Sequence, residues 1–322
     1  MSPLNGAEKV FANLPGALAR RGHDVHVYNR ATVADVIEGA RWHTMAVPPA
    51  TRSDVLIAYR KTNLLGFVEE THRRILWLAG SAARLSEGPA RERLDRFQPA
   101  LIFQSEAQRA TWTGQPDLDV KVIPPAVGWH FRQETPTDPV DPPRAIFTSH
   151  PLRGLAWTLD LWRERIHPEC PAAELHVFSS SLHAALNGAT VDDRLRPIME
   201  ALGRCEGVMV RAPAADPDMA AEYRAARVHL FPSDSLEMVA LTLAESQATG
   251  LPAVARPLGA AAERIVDGET GRLVADGPGF AQAAVGYLAD ANLYLEASAR
   301  AMGLQRSRTA DTTAGFYEAL FS

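Results

Sequence analysis

Apolar residues at Val10, Phe11, Leu14 and Leu18 recur at the spacing of one helix face, so the chain is expected to open with an amphipathic helix. Pro15 falls inside that pattern, where it removes an N–H donor and should bend the helix or cost a hydrogen bond. Gly22 supplies a stop, and Val25, Val27 and Tyr28 begin a strand. Short apolar runs at 54–58, 75–78, 101–104 and 120–123 read as further strands, with helical or loop stretches between them. That alternation predicts a parallel sheet with crossover helices.

From 128 to 144 the chain reads GWHFRQETPTDPVDPPR, polar and rich in proline with little periodicity, which marks a linker. The alternation then restarts: AIFTS, a helix from 155 to about 166, ELHVFSS, a helix from 192 to about 202, GVMVRA, a helix from 219 to 226, VHLFPS, a further helix and PAVA. The expected fold class is α/β, with two Rossmann-like doubly wound domains facing one another across a cleft. The expected boundaries are 1–128 for the first domain, 129–143 for the linker and 144–300 for the second domain. Residues 301–322 are read as a C-terminal helix packing back toward the first domain. A doubly wound domain normally begins with a strand that feeds a glycine-containing turn. Here Pro3-Leu4-Asn5-Gly6 comes at once, so the first strand of the N-terminal domain is read as missing.

Composition narrows the class. The 322 residues are 46% hydrophobic and 22% charged, enough for two cored domains without disulfides. Cys170 and Cys205 lie far apart with no metal-ligand spacing, which suits a reducing, cytoplasmic setting. A net charge of −5 argues against a dedicated nucleic-acid partner. Residues 1–130 nevertheless hold 16 Lys and Arg against 13 Asp and Glu, a balance that would favour peripheral association with an anionic membrane face.

Ligands of open α/β sheets bind outside the carboxyl ends of the strands. After AIFT comes SHPLRGLAW, where Arg153 and free N–H groups could hold a phosphate, against the plainer reading of a solvent-facing Arg at a helix start. After the next candidate strand comes FPSDSLEMVALTLAESQATG. Glu237 belongs to its loop, Val239, Ala240 and Leu241 start a helix, and Glu245 follows about a turn later. The two glutamates read as the exposed end and rim of a helix beneath the site, with Glu245 able to accept two bonds from vicinal hydroxyls. An exposed cap and a salt-bridged Glu would explain the same spacing. In PLGAAAERIVDGETGRLVA, Gly259 allows close backbone approach and the later glycines make a turn. Asp216-Pro217-Asp218 invites a metal reading, but its place before MAAEYRAA makes an N-cap the better account. Trp77 is read as core, and His23, His26, His176 and His229 as structural.

In order, Pro232-Ser233, Glu237, Glu245, Ala248, Gly250, Pro252, Val254-Ala255, Gly259, Glu263, Asp267-Gly268, Thr270-Gly271 and Leu273-Val274 resemble the family 4 glycosyltransferases of the two-Rossmann GT-B fold. Gly6-Ala7-Glu8 with Arg21-Gly22-His23-Asp24-Val25, and Ile123-Pro124-Pro125, extend the resemblance over nearly the whole chain. It implies a retaining, metal-independent transferase with no required cofactor, using a UDP-, GDP- or ADP-linked sugar donor and a glycan, glycolipid or small-molecule acceptor. The donor would be held mainly by the second domain and the acceptor mainly by the first. Glu237 and Arg153 would be catalytic, meeting the sugar ring and the diphosphate. Glu245 would bind ribose, with Val239, Ala240, Leu241, Gly6 and His150 completing the donor set. Gly80, Ser81 and Ser105 are the acceptor-side or cleft-lining candidates, a helix cap explaining Ser105 as well.

Three departures stand out. Where the family commonly has two basic residues at the diphosphate, this chain has Ser149-His150 and Arg153; Val239-Ala240 replaces a common Phe-Gly; and Trp77-Leu78-Ala79-Gly80-Ser81 carries no histidine where many relatives do. A catalytically weak or inactive nucleotide-sugar-binding protein of the same fold is therefore the alternative expectation. An epimerase or phosphorylase lacks supporting motifs.

Overall fold

The computed structural model describes residues 6–114, 117–133 and 139–321. They divide into two compact units: residues 6–126 with 308–321, and residues 127–307.

The first unit opens with the helix Gly6–Arg20, which buries Val10, Leu14, Ala17 and Leu18. The helix runs on through Pro15, itself buried, so the expected interruption does not end it. Gly22, at φ +97°, turns the chain after it, a conformation only glycine adopts freely. Strands β1 (His26–Asn29), β2 (Asp35–Ile37) and β3 (Ala40–Thr44) form a small sheet in the order β1-β3-β2, with β1 parallel and β2 antiparallel to β3. Strands β4 (Arg52–Tyr59), β5 (Glu70–Trp77), β6 (Ala100–Phe103) and β7 (Val120–Val122) form a separate parallel sheet in that order. The α/β class is as expected, with the strands of this unit divided between a three-stranded and a four-stranded sheet. All three residues of β2 are exposed, so the strand carries no burial alternation for the sequence to reveal. By contrast β6 is buried at every position, the continuous apolar run of a parallel-sheet strand. Of Pro3-Leu4-Asn5-Gly6, the first three lie outside the described residues and Gly6 is the first residue of the helix.

The helix Ala310–Glu318 belongs to this unit and lies against the opening helix. Arg20 pairs with Asp311 at 3.1 Å, while Arg21 and His23 both meet Glu318. Hydrogen bonds from Arg21 and His23 hold the Glu318 carboxyl down to about 2.

The second unit is a six-stranded, wholly parallel sheet of β8 (Arg144–Phe147), β9 (Glu174–Phe178), β10 (Val208–Arg211), β11 (Val228–Phe231), β12 (Ala253–Ala255) and β13 (Gly271–Leu273). Its order, β10-β9-β8-β11-β12-β13, is that of a doubly wound sheet whose direction reverses between β8 and β11. Phe147, Leu155, Trp162, Leu175, Val177, Leu230, Val254 and Phe280 are fully buried in one core. Each such side chain contributes about 1.5–3 kcal/mol relative to exposure. Trp162 satisfies its indole N–H on the Glu206 carbonyl at 2.8 Å. Asp216 and Asp218 sit in the first turn of the helix Asp216–Arg224, whose N-cap is Ala215 without a side-chain cap bond. The expected aspartate N-cap is thus corrected, although two carboxylates still suit the positive end of a helix dipole.

Candidate functional site

The reversal of strand order leaves a crevice between the chains leaving β8 and β11, and two glycine-dependent contacts fill out its walls. Gly154 has φ +89°, and a Cβ there would stand 2.7 Å from the Pro232 ring. The turn after β8 is therefore pressed against the exit of β11. Gly259 has φ +54°, and a Cβ there would lie 2.3 Å from the Glu237 carbonyl oxygen. Beside it the Ala260 N–H donates to that same oxygen at 2.7 Å, and the Ser233 hydroxyl donates to the Leu258 carbonyl at 2.8 Å. Three loops from distant parts of the sequence are thereby knitted together.

At their junction Arg153 Nη1 donates to Glu237 Oε2 at 2.6 Å, and Asp234 stands 3.8 Å from Arg153 Nε. The other carboxylate oxygen of Glu237 accepts from the Ala240 N–H at 2.7 Å and the Val239 N–H at 3.2 Å. Leu241 begins the helix Leu241–Ala248, entered through Ala240 in the left-handed region at φ +50°. A guanidinium and two loop N–H groups just ahead of a helix start therefore converge on one anion, here the carboxylate of Glu237. Such donors stabilise negative charge best where water is scarce. The expected candidates Arg153, Glu237, Val239, Ala240 and Leu241 all come together here. His150 is in the same turn: its carbonyl accepts from the Arg153 N–H at 2.8 Å, and its Nδ1 accepts from the Leu152 N–H at 3.2 Å.

Glu245 is placed differently from the expectation. It lies within the helix at 2% exposure rather than at an exposed rim. Around it runs a buried polar network. His229 Nδ1 meets the Ser246 hydroxyl at 2.8 Å and its Nε2 meets the Thr148 hydroxyl at 3.1 Å, while Tyr223 donates to Thr148 at 3.4 Å. Burial holds the His229 imidazole down to about 3, so it stays neutral near pH 7. Burial first, and the Glu245 charge second, push the Tyr223 hydroxyl up. Burial, then Arg144, also lowers His176, which meets Glu174 at 3.0 Å. The histidines of these strands are structural, satisfied groups.

In the first unit, Gly80 and Ser81 lie exposed on the loop after β5. Gln108 and Thr111 brace that loop: Gln108 Nε2 donates to the Gly80 carbonyl at 2.9 Å, and the Ala82 N–H donates to Thr111 Oγ1 at 2.8 Å. Ser105 is fully buried and accepts from the Gln108 N–H at 2.8 Å as an N-cap, which removes its hydroxyl from the cleft-lining candidates. Trp77 is buried core, and Gly6 is the exposed first residue of its helix. Sequence reading missed Gln108, Thr111 and the buried Arg264, whose partners are set by tertiary contacts.

The family model described as "Glycosyl transferases group 1" matches residues 144–290, the stretch that holds β8 to β13 and the Arg153–Glu237 pair. That stretch is similar to the group 1 glycosyl transferases. D-inositol 3-phosphate glycosyltransferase of Acidothermus cellulolyticus is 39% identical over 136 residues, which make up 40% of this chain and 30% of that protein. The same-named protein of Paenarthrobacter aurescens is 39% identical over 90 residues, 28% of this chain and 22% of its own length. The matched stretches thus span less than a third of these curated relatives. Sucrose-phosphate synthase of Thermosynechococcus elongatus superposes with a TM-score of 0.75 at 16% identity, over 98% of this chain and 93% of that one. Anabaena HepE, solved in complex with UDP-glucose, superposes with a TM-score of 0.76 at 15% identity, over 99% of this chain and 96% of that one. These superpositions show the GT-B fold, and the group 1 match lies within the second unit.

Proposed function

We propose that this protein is a retaining, metal-independent glycosyltransferase that moves a sugar from a nucleotide-sugar donor to a glycan, glycolipid or small-molecule acceptor. The supporting observation is the gathering of Arg153, Glu237 and the N–H groups of residues 239 and 240 at the strand reversal of a group 1 domain. In this reading Arg153 and the loop N–H groups receive the donor diphosphate, Glu237 turns to the sugar hydroxyls and Glu245 takes the ribose. Leu241, Gly6 and His150 complete the donor set, and Gly80 and Ser81 belong to the acceptor side. The acceptor oxygen attacks the anomeric carbon from the face the phosphate leaves. The carbon–oxygen bond to the diphosphate breaks, and a departing phosphate oxygen takes the acceptor proton. Charge grows on the leaving diphosphate during that step, where fixed donors lower the barrier most.

HepE is described with UDP-glucose, which makes UDP-glucose the first donor to try, followed by GDP- and ADP-sugars. The curated relatives are named for D-inositol 3-phosphate, so a phosphorylated polyol is the first acceptor class. The protein is assigned to the cytoplasm with peripheral association at the inner membrane face. Among the described residues no helix is long and apolar enough to cross a membrane. The test is a donor panel with and without EDTA, reading both transfer and donor hydrolysis, with anomeric configuration assigned by NMR. Inversion, or loss of turnover in EDTA, would overturn those parts of the reading. Binding without turnover would favour a catalytically weak or inactive nucleotide-sugar-binding protein, and no nucleotide binding would sink both.

A further inference from the structure

We propose that Arg264 is a positioning residue for the donor loop, acting through the carbonyl of Val239; the functional part of this inference rests on the donor-site reading above. Arg264 lies just after the turn Gly259–Glu263 and is 1% exposed, among the largest fully buried side chains of the protein. Dehydrating a guanidinium is costly, and a fold retains one where its hydrogen bonds are well aligned. Arg264 Nε and Nη2 both donate to the Val239 carbonyl oxygen, at 3.1 and 3.0 Å. The backbone of Arg264 is itself fixed. Its N–H donates to the Ala261 carbonyl at 3.1 Å, and its carbonyl accepts from Gln305 Nε2 at 3.0 Å.

The geometry of the peptide unit carries the consequence. In a planar trans peptide the C=O and the following N–H point in opposite directions. A guanidinium that draws the Val239 carbonyl to one side therefore turns the Ala240 N–H to the other side. There it meets Glu237 Oε1 at 2.7 Å, on the face assigned to the donor. Ala240 holds φ +50°, a conformation that costs a residue with a Cβ. Something outside the loop must hold that conformation, and the fork of Arg264 on the adjoining carbonyl does so. The same segment also grips the loop at its other end, through the bond from the Ala260 N–H to the Glu237 carbonyl. Two alternate carbonyls, at 237 and 239, are thus fixed from residues 260–264, and the Val239 and Ala240 N–H groups are aimed as a consequence. This is a role for a charged side chain that touches no substrate.

Hydrogen–deuterium exchange and donor kinetics on R264M and R264K separate the possibilities. Without ligand, exchange across residues 238–241 should rise by roughly tenfold or more in R264M, the scale of losing a charge-assisted hydrogen bond, and by less in R264K. Donor kcat/KM should fall about 10- to 100-fold in R264M, with the loss in KM exceeding that in kcat, and R264K should recover part of it. Unchanged loop exchange in a folded variant overturns the proposal, as does faster exchange spread evenly over the whole unit. If R264M does not fold, R264K is read by the same criteria. A wild type that binds and turns over no nucleotide sugar would instead overturn the donor-site reading, while the exchange arm still decides whether Arg264 holds the loop. Loop exchange that rises with donor kcat/KM within about twofold of wild type would refute the functional part alone.

Discussion

Arg153 and Glu237 are 84 positions apart in the chain and 2.6 Å apart in the fold. The ion pair joins the loop after β8 to the loop after β11, and the other oxygen of Glu237 holds the N–H groups of 239 and 240. A diphosphate entering this position must compete with a carboxylate already there. Arg153→Ala should therefore lower kcat/KM by ~10²–10³, the scale of removing one preorganised donor to developing charge. Steady-state kinetics with the preferred donor provides the check, and a loss under about threefold would place the pair outside the reaction.

Ala240 carries a Cβ in the left-handed region at φ +50°. Glycine removes that strain of about 1–2 kcal/mol, but it adds freedom to the unfolded chain and gives up a buried methyl, each worth about 0.5–1 kcal/mol. Ala240→Gly should therefore leave stability within about 1 kcal/mol of wild type, where an unstrained buried alanine would lose about 1–2 kcal/mol. Denaturant melts of the two proteins test this directly, and a loss above about 1.5 kcal/mol would show that the backbone is relaxed there.

Gly259 has the opposite constraint. A methyl group there would overlap the carbonyl oxygens of Glu237 and Asp234, which would stand 2.3 and 2.8 Å away. Gly259→Ala should cost about 1–3 kcal/mol by overpacking and displace the Glu237 loop. The expected signature is a lower unfolding midpoint together with a raised donor KM. An unchanged midpoint would contradict the close approach.

His229 sets an acid limit. Its imidazole is held from the ordinary 6.5 down to about 3 by burial, so the unfolded chain takes up a proton that the folded one refuses. This contribution is fully present above pH 6.5 and is lost as pH falls from about 6.5 toward 3. The slope is at most about 1.4 kcal/mol per pH unit for one group. Stability of wild type and His229→Gln between pH 7 and 4 measures it. Parallel curves would remove His229 as the cause.

Much of the second unit was legible in the sequence. Its strands are short apolar runs bounded by glycine, proline and polar residues, and the spacing from Pro232 through Gly271 pointed to the group 1 domain later matched at 144–290. The first unit was less legible. The exposed strand β2 has no hydrophobic alternation, so the division into two sheets had no local signal. Ser105 shows the limit at the level of a single residue: the same serine suits a cleft or a cap, and only the bond from the Gln108 N–H decides.

The sequence by itself determined the strands of the second unit, the stop at Gly22, the close approach at Gly259 and the residue types of an anion site, because those depend on neighbours along the chain. The tertiary structure decided who meets whom. It put Glu237 on Arg153, buried Glu245 beside a neutral His229 network and set Arg264 behind Val239. Those relations follow from the strand order β10-β9-β8-β11-β12-β13, which brings the ends of β8 and β11 together across some eighty residues. Periodicity states which face of each element is buried, and carries no record of which element will cover it.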